Sequence, residues 1–70
     1  MTAEHITVNQ PRHPLPALTT YELAGYRHDL EKAIAYSDSQ NPVPPVRADL
    51  QTRLDAVIAE QDDRTRIAHA

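Results

Sequence analysis

The sequence predicts an all-α protein, an antiparallel two-helix hairpin preceded by an extended, proline-rich N-terminal arm. Residues 19–37 and 45–67 each carry apolar side chains at the spacings of three and four that are typical of an amphipathic helix. The segment Pro42-Val43-Pro44-Pro45 separates them, because proline cannot continue an incoming helix but suits the first turn of the next one. Residues 1–18 contain three more prolines, which forbid a regular helix there.

Composition limits the classes of function. The chain has 70 residues and a formal net charge of −3, so it forms one small domain at most and has no overall positive field to attract nucleic acid or anionic lipid. It has no Phe or Trp, so its core must consist of Leu, Ile, Val and Ala. The absence of cysteine excludes disulfide scaffolds and thiolate metal sites. No apolar run has the length of a signal peptide or a membrane span, and we expect a cytoplasmic protein without a membrane segment.

Residues 1–18 form the predicted arm, for which two interpretations are open. Its prolines favour extended or polyproline II backbone, and such a terminal segment is often a mobile tail. Alternatively, the arm docks on a partner or on a neighbouring subunit, since prolines lower the entropy lost on docking. The arm contacts would then be Ile6, Val8, Leu15 and Leu18.

The first helix, residues 19–37, has a well-marked start. Thr19 and Glu22 have the spacing of a capping box, in which each side chain accepts a hydrogen bond from the other residue's backbone N–H. Leu18 and Leu23 flank this cap at the positions of a hydrophobic staple. The apolar stripe of this helix consists of Leu23, Tyr26, Leu30, Ala33 and Ile34.

Gly25 is the only glycine in the chain, and it lies inside this helix. Glycine in a helix interior costs about 1 kcal/mol relative to alanine. The general rule for isolated helix glycines favours a tolerated, solvent-facing residue. In the other interpretation, Gly25 beside Ala24 and Tyr21 lets another backbone come close, and a partner binds on the face opposite the hairpin.

The second helix, residues 45–67, follows a corner at residues 38–44. Its apolar stripe consists of Val46, Leu50, Leu54, Val57 and Ile58. Acid–arginine pairs at spacing i,i+4 explain how its polar C-terminal half stays helical, each contributing a few tenths of a kcal/mol. These pairs are Asp49–Arg53, Glu60–Arg64 and Asp62–Arg66.

Two helices of this length have little apolar surface to offset the entropy lost on ordering them, and one side of their apolar seam would face water. A second hairpin would cover that side, which predicts a homodimer in the form of a four-helix bundle. Arg47 and Gln61 interrupt the seam, so a long coiled coil is not expected. The residues predicted to carry self-association are Leu23, Tyr26, Leu30, Ile34, Leu50, Leu54, Val57 and Ile58.

The residue types that usually carry catalysis or bind metals do not occur in a recognisable pattern in this sequence. The four histidines (His5, His13, His28 and His69) have no pair at spacing i,i+3 or i,i+4. A single glycine excludes a glycine-rich phosphate loop, and the acidic pairs lie on a polar helix end that would not raise a carboxyl pKa. We expect neither a cofactor nor a metal, and no enzymatic activity.

These patterns favour a non-enzymatic protein–protein interaction or regulatory adaptor that acts through its helical hairpin. The residues best placed to contact a protein partner are Leu15, Leu18 and Tyr21. The alternative is a DNA-associated accessory protein that uses the arginines of the second helix. Arg53 and Arg64 are eleven residues apart and so share a face, but acidic residues alternate with them, which is unfavourable for phosphate binding.

Overall fold

A computed structural model describes residues 8–68 of the chain. These residues form a short 3₁₀ turn at Leu15–Ala17, helix α1 at Thr20–Asp38 and helix α2 at Val46–Ala68. The two helices pack against each other, and the described part of the chain contains no strand. The all-α helical hairpin predicted from the sequence is thereby confirmed.

Helix α1 begins at the predicted capping box. Thr19 is the N-cap residue, and its backbone N–H donates to Glu22 Oε1 at 2.8 Å. The backbone N–H of Glu22 in turn donates to Thr19 Oγ1 at 3.0 Å. The hydrogen bonds from the Thr19 backbone and side chain lower the pKa of Glu22 below its ordinary value of 4.5. Two backbone donors that a helix start would leave unpaired are satisfied here, which defines where α1 begins.

The corner between the helices is held by an ion pair. Arg47 Nε donates to Asp38 Oδ1 at 2.9 Å, which links the last residue of α1 to the first turn of α2. The hydrogen bond from Arg47 and its positive charge lower the pKa of Asp38 below 3.8. The peptide bond between Asn41 and Pro42 within this corner is cis. Arg47, which interrupts the apolar pattern in the sequence, thus faces the corner and not the core.

The core lies where the two apolar stripes face each other. Its buried members from the helices are Leu23, Leu30, Ile34, Leu50, Leu54 and Val57. Tyr26 and Ile58 are half-buried at the edge of this cluster. Ser37 is also fully buried, and its hydroxyl donates to the Ala33 carbonyl at 2.9 Å, so its burial leaves no unpaired donor. We call this facing pair of stripes the seam.

Residues 8–18 are the described part of the predicted arm, and the name arm refers to them from here on. They lie along the side of the seam that two helices alone leave open. Leu18 is only 6% exposed and belongs to the core cluster, and Val8 and Leu15 are half-buried against it. The arm therefore packs on its own chain. Ile6, the fourth contact predicted for it, lies outside the described residues.

Removing a central side chain should show how much the seam contributes. Leu30 is 0% exposed, and Leu30→Ala should lower the free energy of unfolding by about 2–5 kcal/mol, because it leaves a cavity. That loss is comparable with the whole stability of a domain of this size, so helicity measured by circular dichroism should fall sharply. The control Ile67→Ala, at a side chain that is 72% exposed, should change stability by less than about 0.5 kcal/mol. Equal effects of the two substitutions would contradict the core described here.

Acid should destabilise the hairpin through the two carboxylates with lowered pKa values, Glu22 and Asp38. A carboxylate with a lower pKa in the folded state contributes stability that is present above its unfolded pKa and lost as the pH falls through its folded pKa. The melting temperature should therefore decrease as the pH drops below 4.5 and then below 3.8, the ordinary values of the two groups.

The variant Asp38→Asn isolates the contribution of the corner. It should melt at a lower temperature than the natural chain at neutral pH, because Arg47 loses its charged partner. It should also lose less of its stability on acidification, since one of the two titrating carboxylates is gone. Thermal melts followed by circular dichroism at several pH values measure both effects. Parallel pH profiles for the two proteins would show that this ion pair does not contribute.

Candidate functional site

The arm and helix α1 enclose a groove of about 760 Å³ that is open to solvent. Residues 9–13 of the arm form one wall. The other wall is the outer face of α1 between residues 21 and 29, together with the buried Leu18. We refer to this feature as the groove.

Gly25 lies in the α1 wall of the groove. A Cβ atom built on Gly25 would meet no atom within 4 Å, so packing within the described chain does not require glycine at this position. Ala24 beside it is also small, so neither residue projects a bulky side chain into the groove. Gly25 is exposed, as the solvent-facing interpretation predicts. An incoming backbone could also approach the helix closely here, as the second interpretation requires.

Tyr21 stands at the edge of the groove and is 88% exposed. A tyrosine combines a large apolar ring with a hydroxyl, so it can contribute both contact area and a hydrogen bond to a partner. Of the three residues predicted to contact a protein partner, Tyr21 is the one presented to solvent. Leu15 is half-buried and Leu18 is buried, both against the chain's own core.

The residues predicted to carry self-association lie in a seam that is closed within one chain. Four of the eight are at most 1% exposed, namely Leu23, Leu30, Leu50 and Val57. Ile34 and Leu54 are buried as well, and Tyr26 and Ile58 are half-buried. A second copy could reach these side chains only if part of the chain moved away from them.

Two arginines of α2 hold the arm in place. Arg64 Nη2 donates to the carbonyl of Leu18 at 2.8 Å and to that of Leu15 at 3.2 Å. Arg53 Nη1 donates to the carbonyl of Val8 at 3.3 Å. Their shared helix face was visible in the sequence, but their acceptors were not, because a backbone carbonyl has no side-chain signature.

The same arginines, with Arg47 and Arg66, are those that the DNA-binding alternative would use. Each has an acidic partner within the chain: Arg47–Asp38, Arg53–Asp49, Arg64–Glu60 and Arg66–Asp63. The predicted pairs Asp49–Arg53 and Glu60–Arg64 are confirmed at 3.0 Å each, whereas Arg66 pairs with Asp63 and not with the predicted Asp62. The geometry of these pairs favours the interpretation of the arginines as internal ion-pair partners.

Two histidines that are distant in the sequence line the groove together. His13 lies in the arm wall and His28 in the α1 wall, which also contains Glu22 and Asp29. Residue spacing could not reveal this arrangement, because only the docking of the arm brings His13 to α1. Among residues 8–68 no group of three or more His, Asp or Glu side chains is arranged to hold a metal ion. His5 and His69 lie outside the described residues.

Comparison of the chain with protein-family models, with curated proteins and with solved structures finds no match. Within the described part of the chain, neither helix is long and apolar enough to cross a membrane.

The substitution Gly25→Ala should stabilise the chain. Alanine favours the helix by about 1 kcal/mol over glycine, and its methyl group would enter open space. Chemical denaturation followed by circular dichroism should show a higher midpoint with an unchanged slope. A lower midpoint would mean that the groove wall is more crowded than described.

Proposed function

We propose that this chain is a small, non-enzymatic interaction protein of the cytoplasm that binds a segment of a protein partner in the groove between the arm and α1. The observation that carries the proposal is the open wall at Gly25, where a Cβ atom would meet nothing within 4 Å, beside the 88% exposed Tyr21. The helical hairpin is the scaffold that presents these two features.

The chemistry of the groove supports a polypeptide as the ligand. Tyrosines are frequent hot spots of protein interfaces. The small residues Ala24 and Gly25 would let the backbone of a ligand come close to helix α1. Charged residues of both signs line the groove, with Arg12 on the arm and Glu22 and Asp29 on α1. A groove lined by apolar residues and by charges of both signs is compatible with a protein interface, and its carboxylates are unfavourable for a phosphate backbone.

The predicted homodimer concerns a different surface. Its contacts would be the seam residues, which the arm and the two helices bury within one chain. A partner in the groove and a second copy on the seam would therefore contact two different surfaces of the chain.

Site-specific photocrosslinking tests the groove. A photoreactive phenylalanine analogue at position 21 should capture a protein partner in the native host, because that side chain lies at the groove edge. The same analogue at position 55, an exposed site on α2, should not capture it. A captured protein is then purified and titrated with the natural chain and with variants.

In these titrations Tyr21→Ala should weaken binding by about tenfold or more, the effect expected of an interface hot spot. Gly25→Leu, which fills the groove, should weaken it similarly, whereas Ala59→Leu adds bulk on an exposed α2 site and should have no effect. Circular dichroism should show that all three variants stay helical. Equal affinities across the series would refute the groove as the binding site.

A further inference from the structure

The arm covers the seam of the hairpin with few buried side chains. Of the apolar side chains in residues 8–18, Leu18 is buried, whereas Val8 and Leu15 remain half-buried. A gap of about 230 Å³ remains between the arm and the helices, lined by Pro11, Leu15 and Ala56 among others. Apart from the short 3₁₀ turn, the arm has no regular secondary structure to stabilise it. Segments with few buried contacts open at lower free energy than the core beneath them.

The arm lies on the face of α2 that carries a row of charged residues. In chain order these are Asp49, Arg53, Glu60 and Arg64, at spacings of four, seven and four residues, which keeps them on one helix face. Arg53 and Arg64 contribute the hydrogen bonds to the arm carbonyls described above. The row and the arm therefore occupy the same place on the hairpin.

The charges of this row are complementary to those of a second, antiparallel copy of the same row. Asp49 and Arg64 are equally far from the midpoint between Ala56 and Val57, and so are Arg53 and Glu60. If two α2 helices lay antiparallel about a two-fold axis at that midpoint, every acid would face an arginine of the other copy. A two-fold axis brings the same patch of both copies together, so the patch must be complementary to itself.

We infer that the arm is a displaceable strap that keeps the chain monomeric, and that its release lets a second copy of this chain pack antiparallel on α2 about an axis between Ala56 and Val57. The arm and the second copy use the same two arginines, so only one of them can occupy this face at a time. Within one chain the row pairs as Asp49–Arg53 and Glu60–Arg64. Its reversed charge order lets the same side chains also pair across the axis, and this self-complementarity favours a second copy as the occupant. The proposal does not depend on the groove, so failure of the groove experiments leaves it intact.

Release of the arm tests the strap. The double substitution Val8→Asp, Leu15→Asp places charge on the two half-buried contacts and should convert a monomer into a dimer in analytical ultracentrifugation. The control Asn9→Asp, Gln10→Asp adds the same charge at arm positions outside the core cluster and should remain monomeric. Helicity should be unchanged in both. A released variant that stays helical and monomeric at all concentrations would overturn the proposal.

A cysteine near the proposed axis tests the register. The natural chain has no cysteine, so Ala56→Cys creates a unique thiol, and two copies about the axis would bring two such thiols together. Under mild oxidation, disulfide-linked dimers should form faster when Leu15→Ala is added, because this mild change loosens the arm without introducing charge. Ala59→Cys, exposed but off the axis, should crosslink at least several-fold more slowly. Equal crosslinking rates at positions 56 and 59 would overturn the proposed alignment of the two α2 helices. This test does not depend on whether the double variant Val8→Asp, Leu15→Asp folds.

Two charge-reversal variants test the antiparallel arrangement independently of crosslinking. Arg53→Glu alone would place acid against Glu60 of a second copy, and Glu60→Arg alone would place arginine against Arg53. Each variant, combined with the released arm, should therefore be monomeric, whereas an equimolar mixture of the two should form a heterodimer. Homodimers of either variant, or no association in the mixture, would contradict the antiparallel arrangement.

Discussion

The structure depends on covering the open side of a seam between only two helices. Leucine and isoleucine side chains of α1 and α2 bury one another where the helices meet, but a pair of rods leaves part of each stripe facing water. The arm supplies the missing cover by placing Leu18 in the core cluster, with Val8 and Leu15 beside it. The arginines that hold this cover, Arg53 and Arg64, both lie on α2, the longer of the two helices. Stability, the groove and the proposed dimer all follow from this contact.

Features set by neighbouring residues could be predicted from the sequence. The start of α1 follows from Thr19 and Glu22, whose side chains and backbones satisfy each other within a single turn. The core follows from periodicity, because spacings of three and four place Leu30 and Val57 on faces that must be buried. The observed ends of α1 and α2, Asp38 and Ala68, each lie one residue beyond the predicted ends.

Features set by distant residues could not be predicted in this way. Arg64 is predicted from its spacing to pair with Glu60, and it does, but its hydrogen bonds to the carbonyls of Leu15 and Leu18 involve acceptors that every residue has. The groove likewise exists only once the arm packs beside α1, so that residues as distant as His13 and His28 line one cavity. The contact between the arm and the seam could not be predicted either, because prolines show where a helix is excluded but not what an extended segment packs against.

The groove and the proposed dimer are coupled through the arm. A ligand in the groove would touch the arm and α1 together, so it would bind the form with the arm packed on the helices better than a form whose arm has left. A second copy would bind only the form with the arm released, since the arm and the α2 helix of the second copy would compete for Arg53 and Arg64. Each ligand therefore lowers the apparent affinity of the other by the same factor, as linkage requires. By holding the arm closed, a protein partner in the groove would keep the chain monomeric without touching the dimer surface.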